Sequence, residues 1–138
     1  MLNGVNLGGL GTRRPEVYGT LTLGDIYGLL SEEFPDVEFE FRQTDYEGEM
    51  IGFIRDGGAA DGVVINPGAW THYAYALHDA LEAVSVPKVE VHLSNVHGRE
   101  EWRRRSVISP AVDAVVAGMG ARGYVAAVRY VLESSPER

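Results

Sequence analysis

The sequence predicts a doubly wound α/β fold, in which helices cover both faces of a parallel β-sheet. Two observations support this: short runs typical of strands alternate with longer stretches of helical periodicity, and one short run is apolar throughout. Alternation of this kind indicates parallel βαβ units. Ligands of such sheets bind beyond the carboxyl ends of the strands, so the loops that follow the strands are expected to carry function.

Four segments are predicted to be strands. Residues 37–42 alternate apolar and charged side chains, as a half-exposed strand does. Gly62–Ile65 is a continuous apolar run of the kind found in buried parallel strands. Residues 89–94 alternate again, and Val112–Val116 is a further candidate.

Four segments are predicted to be helices. The first begins at Thr22, which together with Asp25 has the spacing of a capping box. The second runs from Glu47 to Asp56, and the third stops near Pro87. The apolar stripes of the four helices are Leu23, Ile26, Tyr27 and Leu30; Met50, Ile51 and Ile54; Tyr73, Ala76, Leu77, Ala80, Leu81 and Val84; and Val125, Val128 and Leu132.

Composition excludes several classes of function. The chain has 138 residues, a net charge of -8 and no cysteine. An acidic surface repels phosphate backbones, so nucleic-acid binding is not expected. The absence of cysteine excludes disulfides, thiolate metal sites and cysteine nucleophiles. No apolar run is long enough to span a membrane and the N-terminus does not resemble a signal peptide, so a cytoplasmic location is expected.

Three further patterns argue against a cofactor, a metal or a covalent intermediate. Lys88 is the only lysine and is flanked by Pro87 and Val89, so it fits neither a Walker-type phosphate loop nor a Schiff-base site. Gly118–Gly123 matches the glycine spacing of a dinucleotide-binding loop, but too little chain follows it for the further strand and acidic residue that such a site needs. The four histidines lack HExxH-type spacing, so no metal is expected.

Three segments could carry chemistry. Residues 3–19 form a long glycine-rich stretch, which is either a surface loop or a lid that brings Arg13 and Tyr18 over a substrate. Residues 66–72 follow the buried strand, where an exposed Asn66, a tight turn and a helix N-terminus suit an oxygen-rich ligand, although turn chemistry alone explains them equally well. The basic run 103–105 is either a solvated face or a source of one ligand-binding arginine.

Glu90 and His92 are the sharpest local signal. Period-two alternation places both side chains on the same side of one strand, near its end. A carboxylate beside an imidazole fixes the imidazole tautomer, as a general acid requires. The alternative is a buried ion pair without a catalytic role.

Over nearly its whole length the chain resembles the type II 3-dehydroquinate dehydratases of the shikimate or quinate pathway. Four blocks carry the resemblance by their order and spacing: Asn-Gly-x-Asn-Leu at 3–7 with Val-Tyr-Gly at 17–19, Phe-Arg-Gln-Thr at 41–44, Asn-Pro-Gly-Ala-x-Thr-His at 66–72, and Glu-Val-His-Leu-Ser-Asn-x-His-x-Arg-Glu at 90–100. The resemblance implies one flavodoxin-like three-layer domain with a flexible lid at about 7–18. It further implies a trans elimination of water from 3-dehydroquinate through an enolate to 3-dehydroshikimate, without cofactor or metal, in trimers that assemble to a dodecamer.

The resemblance also implies roles for individual residues. Tyr18 is expected to be the base, and His92, supported by Glu90, the acid. A guanidinium about 4 Å from a phenolate stabilises it by about 4 kcal/mol at an effective dielectric constant of 20, and Arg13, with Arg99 behind it, is expected to supply this charge. Asn6 is expected to stabilise the enolate, and Leu93 and Ser94 are expected to bind the substrate carboxylate. The residues expected to bind ring hydroxyls are Asn66, His72 and Arg103. Asp79 of a neighbouring subunit is expected to complete the site.

Some positions depart from the family pattern, and one leaves an alternative open. Val5, Gly98 and Trp102 replace more usual residues and are expected to be tolerated. Only two residues precede Asn3, so the first, central strand is expected to be a stub or to begin upstream of this sequence. The rival from another class is a non-catalytic flavodoxin-like module, such as a signalling receiver or a nucleotide binder. A receiver requires acidic residues at the strand ends, where this chain has asparagines.

Overall fold

The computed structural model describes residues 1–136 and shows a five-stranded, all-parallel sheet. The strands are Leu2–Asn3 (β1), Arg42–Gln43 (β2), Val63–Asn66 (β3), Lys88–His92 (β4) and Ala114–Ala117 (β5). The helices are Pro15–Tyr18 (α1), Leu23–Glu33 (α2), Glu47–Gly57 (α3), Tyr75–Glu82 (α4) and Arg122–Ser134 (α5). The strand order β2-β1-β3-β4-β5 is that of flavodoxin-like sheets, which confirms the predicted fold.

The edge of the sheet at β2 is shorter than predicted. The β-ladder takes in only Arg42 and Gln43, whereas the alternating pattern predicted a strand over 37–42. The neighbouring strand β1 has two residues, so it offers few hydrogen-bonding partners to β2. At the start of the ladder, Arg42 N–H donates to the Met1 carbonyl (2.9 Å), and the terminal ammonium of Met1 donates to the Glu40 carbonyl (2.9 Å).

The helices form where the apolar periodicity predicts them, except that Tyr73, Ala76 and Leu132 of the predicted stripes are exposed. The Thr22 capping box is present, because Asp25 N–H donates to Thr22 Oγ1 (3.1 Å) and Thr22 N–H donates to Asp25 Oδ2 (2.8 Å). Tyr73 is 59% exposed, because a 3-10 turn over Gly68–His72 precedes α4 and delays its start. Leu132 is 48% exposed, and Val131 takes the buried position on α5 instead.

Two apolar layers sandwich the sheet. One packs α3 and α4 against it, and its buried members include Met50, Ile54, Ile65, Leu77, Leu81 and Ile108. The other packs α2 and α5 against the opposite face, and its buried members include Ile26, Leu30, Val64, Val89, Tyr124 and Val128. Leu7 and Leu10 also belong to the second layer, so the first part of the predicted lid is anchored in the core. Within residues 1–136, no helix has the length and apolar character that crossing a membrane requires.

A buried polar network links β1 and β3 beneath the carboxyl edge of the sheet. The Tyr124 hydroxyl donates to Asn3 Oδ1 (2.6 Å) and accepts from Asn66 Nδ2 (2.9 Å). Asn3 Nδ2 in turn donates to the Tyr27 hydroxyl (3.1 Å). Burial raises the pKa of Tyr124, so this phenol stays protonated and acts as donor and acceptor at once. The network fixes the point from which the loops after β1 and β3 depart.

Candidate active site

The loops after β1 and β3 leave the sheet side by side. Asn3 and Asn66 are register partners at the ends of these strands, and Gly4 N–H donates to the Asn66 carbonyl (2.8 Å). A Cβ at Gly4 would lie 2.6 Å from the Pro67 carbonyl oxygen, so the close approach of the two loops requires glycine. Gly68 has φ +60°, a left-handed conformation that favours glycine. These constraints explain the Asn-Gly and Pro-Gly pairs of the sequence.

Glu90 and His92 are brought together as the alternation predicted. The Glu90 side chain is fully buried, and His92 Nε2 is hydrogen-bonded to its Oε2. Burial alone raises the pKa of Glu90, but the hydrogen bonds from His92, Thr71 and Ser109 outweigh this and hold the pKa below its ordinary value. An ionised carboxylate only accepts, so Nε2 of His92 carries a proton and Nδ1 is the nitrogen left for other partners.

Tyr18 is held by arginines at the end of α1. Arg99 Nη1 donates to the Tyr18 hydroxyl (3.0 Å) and to Ser94 Oγ (3.1 Å), which ties α1 to the loop after β4. The Arg13 guanidinium carbon lies 4.9 Å from the centre of the Tyr18 ring. The prediction was that Arg13 lies next to the Tyr18 phenol with Arg99 behind it. In the structure, Arg99 is the arginine that contacts the Tyr18 hydroxyl directly. Arg99 Nη2 is buried and has no hydrogen-bond partner within residues 1–136.

A cavity of about 500 Å³ opens between α1, the loop after β4 and the start of α5. It brings together Tyr18, Leu93, Ser94 and Arg99 among the predicted site residues. Within the part of the chain that the structure describes, its lining does not include His92, which lies two residues before Ser94 and is 8% exposed. The cavity thus holds the proposed base and carboxylate-binding groups, and the Glu90–His92 pair lies at the adjoining end of β4.

Asn66 ends β3 and His72 lies in the turn that follows it; among the described residues, neither is in the lining of this cavity. Asn66 was expected to be exposed, but it is buried: its Nδ2 donates to Tyr124, and its Oδ1 accepts from Gly68 N–H (3.1 Å). One hydrogen and one lone pair of the amide are left. Nδ1–H of His72 donates to the Arg105 carbonyl (2.7 Å). Burial lowers the pKa of His72, and this bond opposes the effect in part. At neutral pH, Nε2 of His72 is therefore an acceptor.

Three other predicted residues are not assembled around the cavity. Asn6 is exposed at φ +68°, and its N–H donates to Asp45 Oδ1 (2.8 Å). Arg103 forms an ion pair with Glu100, and its guanidinium lies 4.1 Å from the centre of the Trp102 ring. Asp79 is exposed on α4, where it lines a separate groove of about 560 Å³ against α3.

The structure adds hydroxyl residues that sequence reasoning missed. Thr71, Ser106 and Ser109 surround the Glu90 carboxylate. Val107 N–H donates to the Thr71 carbonyl (2.7 Å), which brings segment 106–109 against the turn after β3. Thr71 belongs to the Asn-Pro-Gly-Ala-x-Thr-His motif at 66–72, so the sequence did carry a signal for it as a site residue. The two serines carry no spacing signal, since only the folded loop brings them to Glu90.

Comparison with known proteins places the chain in a family. The family model for dehydroquinase class II matches residues 1–132. A 3-dehydroquinate dehydratase of Kineococcus radiotolerans is 53% identical over 136 residues, covering 95% of this chain and 92% of that protein. One of Pelodictyon phaeoclathratiforme is 50% identical over 135 residues, covering 96% and 89%.

Solved structures agree with the sequence comparison. The crystal structure of type II dehydroquinase from Butyrivibrio crossotus has a TM-score of 0.92 and 40% identity, covering 95% of this chain and 94% of that one. That of Propionibacterium acnes has a TM-score of 0.89 and 44% identity, covering 95% and 93%. The chain belongs to the class II dehydroquinase family.

Proposed function

We propose that this chain, as a class II dehydroquinase, is a hydro-lyase that removes water from 3-dehydroquinate, with Tyr18 as base and His92 as acid. The observation that carries the assignment is the contact of Arg99 with both Tyr18 and Ser94. This contact holds the phenol of Tyr18, which comes from the glycine-rich segment 3–19, beside the carboxyl end of β4, where His92 lies. A base and an acid from separate segments suit an elimination in which the proton and the hydroxyl leave from opposite faces.

The first step is the removal of a proton from the carbon beside the ketone. A phenol is a weak base near neutral pH, because its ordinary pKa is about 10. The direct bond from Arg99 and the nearby charge of Arg13 stabilise the phenolate that accepts the proton. The electron pair of the C–H bond moves toward the ketone oxygen and forms an enolate, which Asn6 stabilises when the loop closes.

The second step breaks the bond between carbon and the departing hydroxyl. The enolate electrons re-form the ketone and a new C=C bond, and the hydroxyl leaves with a proton from Nδ1–H of the His92 imidazolium. Glu90 accepts from Nε2–H of the same ring, so it holds the imidazole in one orientation and balances its positive charge. The water formed and 3-dehydroshikimate account for all atoms of the substrate.

The substrate carboxylate is placed at Leu93, Ser94 and Arg99. All three line the cavity, and Arg99 Nη2 is a buried donor that has no partner among residues 1–136. An anion is the acceptor that such a donor needs. His72 offers Nε2 as an acceptor for a ring hydroxyl, and Asn66 offers its remaining hydrogen and lone pair. Arg103 binds a ring hydroxyl of the substrate if its ion pair with Glu100 breaks when the substrate binds.

The remaining proposals concern the lid and the assembly. Residues 7–18 act as a lid on a single domain, with Leu7 and Leu10 as its anchor and Arg13 and Tyr18 at its moving end. Asp79 lies away from the cavity of its own subunit and is exposed. We therefore place it in the site of a neighbouring subunit, in trimers that assemble to a cytoplasmic dodecamer. The reaction is a step of the shikimate or the quinate pathway.

The proposed function predicts that purified protein converts 3-dehydroquinate to a conjugated product, because elimination places the new C=C bond next to the ketone. The measurement is the rise in ultraviolet absorbance of that product, without added metal or cofactor. Treatment with borohydride in the presence of substrate is expected to leave activity and protein mass unchanged. Lys88 is 8% exposed, begins β4 and donates to the Val84 carbonyl, so it is not placed to form an imine. A failure to form product would refute the proposal.

A second prediction separates the two arginines. Arg99→Ala is expected to lower kcat by about 10–100-fold, the range of a lost hydrogen bond to a charged group, and to raise KM as well, because Arg99 also binds the substrate carboxylate. Arg13→Ala is expected to lower kcat more than it weakens ligand binding, but by less than Arg99→Ala, because Arg13 faces the ring and not the hydroxyl. Arg129→Ala, which removes a surface ion pair with Glu33, is the control. Equal losses for Arg99→Ala and the control would contradict these roles.

A further inference from the structure

A chain of hydroxyl groups around Glu90 has no part in the steps described above. Thr71 Oγ1 donates to Glu90 Oε2 (2.6 Å), and Ser109 Oγ donates to Oε1 (2.7 Å). Ser106 Oγ lies 2.5 Å from Thr71 Oγ1 and 3.5 Å from Glu90 Oε1. Thr71 is 1% exposed and Glu90 is fully buried, so this chain is shielded from water where it meets the carboxylate.

The direction of every hydrogen bond in the chain follows from the chemistry of the end groups. Thr71 has one hydroxyl hydrogen, and Glu90 Oε2 takes it because an ionised carboxylate has none to give. The hydrogen between Thr71 and Ser106 must therefore come from Ser106. Ser106 Oγ in turn accepts from the N–H groups of Ile108 (3.1 Å) and Ser109 (2.9 Å). All these donors point one way, from the main chain at 108–109 toward Glu90.

This arrangement leaves the carboxylate little freedom to rotate. Oε2 accepts from Thr71 and from His92, while Oε1 accepts from Ser109. A rotation of the carboxylate plane would break a hydrogen bond on each side, and the Glu90 side chain is fully buried. The ring of His92 is held by its hydrogen bond to Glu90 Oε2. The direction in which Nδ1 points therefore depends on the hydroxyl groups that hold the Glu90 carboxylate.

We infer that Thr71, Ser106 and Ser109 are positioning residues, which fix the Glu90 carboxylate and through it aim Nδ1 of His92 at the departing hydroxyl. The inference rests on the proposed function for the role of His92. It goes beyond that function in assigning part of the acid's orientation to hydroxyl groups that contact the Glu90 carboxylate. The segment 106–109 thereby becomes a part of the catalytic apparatus that acts through Glu90.

The test compares Thr71→Val, Ser106→Ala and Ser109→Ala with Thr71→Ser, which keeps the hydroxyl. Thr71→Val is expected to lower kcat by about 10-fold or more, the lower range for a lost bond to a charged group, and Ser106→Ala by about 2–10-fold, the range for a lost bond between neutral groups, both with KM within about 3-fold. Ser109→Ala is expected to act in the same direction, and Thr71→Ser is expected to restore kcat. The second readout is the proton resonance of His92 Nε2–H in protein with labelled histidine, assigned by its loss in His92→Asn. It is expected to shift in Thr71→Val and Ser106→Ala but not in Thr71→Ser.

Thr44→Val is the matched control, since it removes another buried threonine hydroxyl, one that accepts from Tyr46 N–H (3.0 Å). It is expected to lower stability without moving the His92 resonance or kcat. Unchanged kcat and an unshifted resonance in Ser106→Ala, which removes little volume, would overturn the inference, as would equal shifts in Thr44→Val. The resonance requires no turnover. A wild-type protein without dehydratase activity would therefore refute the proposed function, while the resonance would still decide whether the hydroxyl chain holds His92.

Discussion

Tyr18→Phe is expected to lower kcat by about 10²–10⁴-fold, the usual contribution of a positioned general base, while the substrate still binds. The change removes one oxygen and leaves a ring of the same shape between Arg13 and Arg99. The variant lacks the hydroxyl that accepts from Arg99 and takes the proton from carbon. Steady-state assays of product absorbance give kcat, and calorimetric titration with a product analogue gives the affinity.

Tyr130→Phe is the matched control, because it removes the hydroxyl of a partly exposed tyrosine on α5. Its kcat is expected to stay within about 2-fold of the wild type, the range of surface substitutions without a special role. The assignment of Tyr18 as base would be wrong if both variants kept most of their turnover. It would equally be wrong if Tyr18→Phe lost affinity as steeply as kcat, since the hydroxyl would then serve mainly in binding.

The position of the site could be predicted from the sequence because two simple rules apply. The carboxyl ends of parallel strands meet at one edge of the sheet, and this rule brings Asn3, Asn66 and His92 to the same side. Period-two alternation then puts Glu90 beside His92, and the structure confirms the pair. Both rules depend only on backbone geometry.

The surroundings of Glu90 could not be predicted because they depend on packing. Ser106 and Ser109 reach the carboxylate only after Ile108 is buried against the α3–α4 layer and Val107 bonds to Thr71. The burial of Asn66 has a similar origin, since its partner Tyr124 lies on the last helix. The length of β2 was overestimated for another reason: alternation reports which face of a segment is buried, whereas a ladder also needs a neighbour of equal length.

Glu90→Ala is expected to lower the free energy of unfolding by about 3 kcal/mol or more, since each buried donor left without an acceptor costs about 1–3 kcal/mol. The carboxylate accepts from His92, Thr71 and Ser109, and without it these donors have no buried acceptor. Turnover is expected to fall as well, because the ring of His92 loses the group that orients it. Denaturant unfolding at fixed protein concentration measures the first effect, and product absorbance the second.

Glu90→Gln keeps the volume of the side chain and removes its charge. The pH dependence of the free energy of unfolding therefore isolates the contribution of the charge. The pKa of Glu90 is lowered in the folded protein, so its charge stabilises the fold fully above the ordinary pKa of a glutamate, and this contribution is lost as the pH falls through the folded-state pKa. The stability difference between wild type and Glu90→Gln is therefore expected to be largest near neutral pH and to shrink below the ordinary pKa. The exposed Glu32→Gln is the control, with a small difference at every pH. A difference for Glu90→Gln that stays constant down to acid pH would show that Glu90 stabilises the fold by shape and not by charge, and the electrostatic support of His92 would have to be abandoned.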